Sequence, residues 1–236
     1  MFYRIQPSLN LKIVGNFNQI QQSKIPDDWE NNSRFIENIE FERVDFEPIM
    51  ATGILYKKAK LTDLINTLPI GFTRKLLIST ALKNIFQACD QGMFQYFECG
   101  VEKDNLQFEY WVVSPTKPMY DYVDFEKSSI VTMRRKVEGG TFLEPVPLNS
   151  QDEFLAYLSS EGSDSWRTFI EKVYFKEGPV DSNFFALGHV EGGVGYYVSE
   201  HLKKAVEHNN LTGIEFAPSI YNLQEWLQKE RPNYYR

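Results

Sequence analysis

Residues 93–101 read MFQYFECGV and residues 106–113 read LQFEYWVV, with only Glu102-Lys103-Asp104-Asn105 between them. Two runs rich in aromatic and β-branched residues across a short polar loop predict an antiparallel hairpin. Successive strand residues face opposite ways. Leu106, Phe108, Tyr110 and Val112 therefore share one face, the expected core side, and Gln107, Glu109, Trp111 and Val113 share the other. Short runs of the same kind lie on both sides: 2–5, 11–14 and 53–57 before the hairpin, and 130–137, 170–176 and 184–187 after it. The run at 130–137 is a candidate to pair near the hairpin.

Helical patterns are fewer. Residues 61–68 predict two turns stopped by Pro69. Residues 72–89 carry Leu76, Leu77, Thr80, Ile85 and Cys89 near helical spacing, with Leu82 and Phe86 beside them. Asp90-Gln91-Gly92 ends that pattern, Gly92 supplying a left-handed cap. Ser150 and Ser199 are N-caps for helices over 150–159 and 200–208, and a last short helix spans 220–227. Ile78-Ser79 with Leu82-Lys83 parallels Val198-Ser199 with Leu202-Lys203. Shared capping chemistry explains that match without a repeat. No Pro, Gly or Ser-rich linker divides the chain. Residues 1–236 thus read as a single compact α+β domain, a mostly antiparallel sheet with a few packed helices.

The chain is large enough to hold itself together. Area scaling gives ~11,000 Å² folded against ~40,000 Å² unfolded, so no disulfide or metal is needed. Aromatic residues make up 15% of the 236 residues, which favours a β-rich aromatic core. Net charge is −7. Such a chain repels phosphate backbones, which argues against nucleic acid as a direct ligand.

The acidity is concentrated. Asp27, Asp28, Glu30, Glu37, Glu40, Glu42, Asp45 and Glu47 face only Arg34 and Arg43, so this stretch alone carries −6. It is a candidate docking site for a basic partner, with Asp27, Asp28, Glu30, Glu37, Glu40 and Glu42 supplying charge and Trp29 and Phe35 the aromatic anchors. A solvated acidic face is the open alternative.

No catalytic constellation emerges. His201 and His208 lie seven apart on one predicted helix, a rise of roughly 10 Å, too far to share a metal ion. His189 sits in GHVEGGVG (188–195), which lacks the Lys-Ser/Thr of a phosphate loop and suits a hairpin turn. Asp121 and Asp124 form an acid pair without a third ligand, and G-x-S-x-G is absent. Cys89 and Cys99, ten apart, match no zinc pattern. No catalytic residue, cofactor or metal is expected. With no apolar stretch of membrane length and no signal peptide at Met1, the expectation is a cytosolic protein with reduced thiols and no membrane partner.

Several stretches together resemble a bacterial immunity-protein family, immunity family eleven, formerly a domain of unknown function. FFAL (184–187), YYVSEHLKKAV (196–206) and LTGIEF (211–216) are similar to its closing strand, capped helix and final strand. FEYWVV (108–113), YDYVDFEKS (120–128), Ile78-Ser79 with Leu82, and Tyr3-Arg4-Ile5 fit its earlier parts, so the resemblance covers residues 2–216. The acidic stretch 27–47 and the tail after Phe216 depart from the pattern.

The resemblance implies a non-catalytic antidote that binds a cognate toxin protein in the cytosol. Such antidotes are encoded beside polymorphic toxins, including those delivered by contact-dependent and type VI secretion systems. The 188–195 turn and the Tyr234-Tyr235 tail compete with the acidic stretch as the interface. An adaptor or self-associating protein, or a hydrolase using Asp121, Asp124 and His189, are the alternatives.

Overall fold

The structure, a computed structural model, describes residues 1–178 and 182–229. In chain order its elements are β1 (Phe2–Pro7), α1 (Leu11–Val14), β2 (Ile20–Lys24), β3 (Thr52–Leu55), β4 (Leu64–Ile65), β5 (Leu76–Ile78), α2 (Thr80–Cys89), β6 (Phe94–Lys103) and β7 (Leu106–Pro115). There follow β8 (Ser129–Arg135), β9 (Thr141–Pro145), α3 (Gln151–Glu161), β10 (Thr168–Lys172), β11 (Phe184–Val190), β12 (Gly193–Ser199), α4 (Glu200–His208), β13 (Ile214–Pro218) and α5 (Leu223–Lys229).

The strands form two sheets. One has seven strands in the order β13-β1-β12-β11-β10-β8-β9, the other six in the order β2-β3-β6-β7-β5-β4. Among the described strands only β10 with β11 and β3 with β6 pair in parallel. The architecture is the expected α+β, mostly antiparallel one, divided between two sheets.

The β6–β7 hairpin runs in unbroken register from Phe94↔Pro115 to Lys103↔Leu106. Its turn is Asp104-Asn105 rather than the four-residue loop. Both residues sit at positive φ, 50° and 64°, as a tight hairpin turn of matching twist requires. Tyr110 and Val112, with Phe108 packed beside them, lie in the core on the expected face, and from Tyr110 onward the other face is covered as well. Phe97, Cys99, Val101, Tyr110 and Val112 pack under the residues 20–72 layer. Phe94 and Val113 pack the other way, against α2, α4 and the second sheet.

The near-continuous runs FFAL and YYV have the same cause, because a strand buried on both faces has no polar positions to alternate with. Phe184 and Tyr196 point into the core between the sheets. Phe185 and Tyr197 point outward to a third core, closed by α3 through Phe154 and Leu158. Phe94 stacks on Phe184 at 4.0 Å across the two sheets. The Tyr196 hydroxyl reaches the carbonyls of Arg74 (3.0 Å) and Val113 (3.3 Å), tying them further.

Local chemistry overrode pattern in four places. Residues 11–14 form helix α1, not a strand, because the Asn10 side chain accepts from the Lys12 N–H and Gly15 turns the chain at φ 75°. Residues 61–68 form no helix. Asn66 is held by Gln19, Asp63 by Thr212 and Ser79, and β4 pairs with β5 instead. The 72–89 helix begins only at Thr80, since Leu76, Leu77 and Ile78 are a buried strand and Ser79 caps the helix by accepting from the Leu82 N–H. The 130–137 strand belongs to the other sheet, between β9 and β10. Ser150 and Ser199 cap α3 and α4 as expected.

Candidate functional site

The acidic stretch covers the outer face of the six-stranded sheet without being a strand itself. It is anchored by a few apolar side chains spread along it. Phe35 and Ile36 are fully buried, Ile39 and Val44 nearly so, and Trp29 packs edge-on to Phe35 at 6.3 Å. Backbone and side-chain bonds do the rest. Ile36 N–H donates to the Ile49 carbonyl (3.0 Å), and Asn38 folds the first 3-10 turn back by donating to the carbonyls of Trp29 (2.7 Å) and Asn32 (3.0 Å). The Gln95 amide on β6 clamps Val44 from both sides, at 2.9 and 2.7 Å. Nonpolar residues thus face inward while the carboxylates other than Glu37 point out.

The two arginines do not neutralise those carboxylates. Arg34 donates to the Glu47 carbonyl (2.9 Å) and lies over the Phe46 ring, and Arg43 donates to the Gly92 carbonyl (2.6 Å). Asp27, Glu30, Glu42, Asp45 and Glu47 are exposed. No ion pair to them occurs among the described residues. The Asp28 side chain, also exposed, accepts from the Asn32 amide at 3.4 Å. The result is a negative surface on a fixed backbone.

Not every predicted interface residue is available. Phe35 has no exposed surface and is core, so it is no anchor: its ring is the hydrophobic support of the stretch. Glu37 is half-buried and accepts from the N–H groups of Gly71 (2.7 Å) and Thr73 (3.2 Å), which fixes a loop. Trp29 is half-buried. Glu40 is exposed and pairs with Arg74 at 2.7 Å. Asp27, Asp28, Glu30, Glu40 and Glu42 remain as accessible charge.

Lys75 secures the end of the stretch. Its ammonium donates to the Ile39 carbonyl (2.6 Å) and lies 3.3 Å from Ser114 Oγ. Burial pulls this amine down to about 8 from 10.5, against the opposite pull of Glu40 and Glu37. Above pH 8 the folded chain releases a proton that the unfolded chain still holds, so stability rises with pH through this window. Cys99, pushed up to about 12 from 9.0 by burial, works in the opposite direction above pH 9. Urea unfolding between pH 8 and 9 is therefore expected to show stability increasing in the native protein and slightly decreasing in Lys75→Met, where only the Cys99 effect remains.

A second feature adjoins Glu40. The turn between β11 and β12 carries a register shift between Leu187 and Val190, with His189 and Glu191 at φ 50° and 49°. This bulge sets His189 in the wall of a cleft of about 360 Å³, shared with Glu40, Phe41, Arg74, Tyr120 and Trp166. Sequence reading found the glycine turn but not Arg74, Tyr120 or Trp166, which carry no local motif. Asp121 and Asp124 do not line this cleft. Asp124 instead accepts from the Lys127 N–H (3.2 Å) and pairs with its ammonium (3.1 Å), closing a turn. Among the described residues no three His, Cys, Asp or Glu side chains gather where a metal ion would sit. Tyr234 and Tyr235 lie outside the described residues.

Residues 2–221 match the model of the Immunity protein family (Imm11). The chain belongs to that family. Membership covers both sheets and the acidic stretch, and it carries a toxin-neutralising role in general. No curated protein matches the sequence.

Proposed function

We propose that this immunity-family chain is a non-catalytic antidote. It binds a basic cognate toxin domain in the cytosol of the cell that makes both, using the carboxylates of the acidic stretch. One observation carries this reading: Asp27, Asp28, Glu30, Glu42, Asp45 and Glu47 stand exposed on a segment that the core holds rigid. A fixed array of like charge speeds encounter with an oppositely charged partner and needs little ordering on binding. A polymorphic toxin encoded beside the gene is the expected partner.

The test is protection of growth. The toxin domain encoded by the adjacent gene is expressed with native protein or with Asp27→Lys, Glu30→Lys, Glu42→Lys and Asp45→Lys combined. These positions make no ion pair among the described residues, so the variant is expected to fold. It should fail to protect. Full protection by a variant of native circular dichroism contradicts the reading.

A further inference from the structure

The cleft beside Glu40 has the chemistry of a side-chain receptor. Its back wall presents Tyr120, only 5% exposed, whose hydroxyl has no acceptor or donor among the described residues. A Cβ on Gly188 would stand 2.9 Å from that hydroxyl and 3.2 Å from the Phe41 ring, so glycine keeps this wall open. His189 Nδ1 lies 3.1 Å from the Thr168 carbonyl oxygen. A carbonyl only accepts, so in the neutral ring Nδ1 carries the proton and Nε2 is left as an acceptor. Trp166 stands 46% exposed on one side. At the mouth, Glu40 is paired with Arg74, with their side chains 55% and 42% exposed. An exposed pair of this kind contributes little, so exchange of the Arg74 guanidinium for another cation costs little.

From these features we infer that the cleft receives an arginine side chain of the basic partner. The guanidinium stacks on the Trp166 indole, donates to Glu40, and finds neutral acceptors in His189 Nε2 and the Tyr120 hydroxyl. The choice of a cation rests on charge. The cleft opens beside the acidic stretch, and its own carboxylate can turn from Arg74 to a ligand. Arg167, 5.2 Å from the Trp166 ring, is already paired with Asp164 at 3.3 Å and shows that this indole accepts a guanidinium. The inference rests on the reading of this chain as an antidote to a basic protein, and it names the anchor that reading lacked when Phe35 proved to be buried.

The test uses the intact protein and no toxin. The blocked tripeptide acetyl-Gly-Arg-Gly-amide is titrated in while the Trp166 indole and His189 ring resonances are followed by NMR. Saturable shifts of both are expected. Glu40→Gln and Trp166→Ala, each at an exposed position, should each weaken the apparent affinity about fivefold or more. The citrulline analogue, with the same shape and no charge, should leave both signals in place. Equal shifts with citrulline, preferential shifts with inorganic phosphate, or none with the arginine peptide overturn the inference. Because no toxin is present, failure here is separate from failure of the growth test, which probes the acidic stretch.

Discussion

Phe184→Ala is expected to destabilise the protein by about 4 kcal/mol, the usual range for a fully buried Phe cut to Ala. Phe184 has no exposed surface. Its ring stacks on Phe94 from the opposing sheet at 4.0 Å and tilts against Phe86 of α2 at 4.4 Å. The cost is transfer of the lost ring atoms plus a cavity that two sheets and a helix cannot collapse to fill. Urea unfolding followed by circular dichroism measures it directly. A loss under about 1 kcal/mol contradicts the account of the core between the sheets.

Glu191→Ala is expected to cost about 3 kcal/mol. Glu191 pairs with Arg4 of β1, each side chain 16% exposed, and also accepts from the Leu223 N–H at the start of α5. Removing the carboxylate strands the Arg4 guanidinium and also removes the acceptor of the exposed Leu223 N–H. Most of the loss is the unpaired charge rather than the worth of the pair, so Arg4→Met added to Glu191→Ala should recover part of it. Additive losses in the double variant contradict this explanation.

The central hairpin was legible because its signal is local. Alternation on each side of Asp104-Asn105 needs nothing beyond neighbouring residues, and the Ser150 and Ser199 caps were legible by position for the same reason. Where partners are distant in sequence, the pattern misled. Leu76 and Leu77 fit a helical stripe, yet β7 draws them, with Ile78, into a strand through Val113, Val112 and Trp111. Residues 61–68 lost their helix to Gln19 and Thr212, both far along the chain.

At the site, composition revealed where the charge is but not which side chains the core consumes. Phe35 and Glu37 have the right chemistry for an interface, and both are committed to the fold. The cleft was invisible because Glu40, Arg74, Tyr120, Trp166 and His189 come from five separate stretches.

The most direct test of the central claim is the affinity of the purified protein for the toxin domain encoded by the adjacent gene, measured by calorimetry from about 50 to about 300 mM salt. The account predicts tight binding that weakens roughly tenfold or more across that range. It further predicts that the Asp27→Lys, Glu30→Lys, Glu42→Lys, Asp45→Lys variant binds weakly and loses most of the salt dependence. Equal affinity and an equal salt slope in native and charge-reversed protein would contradict it.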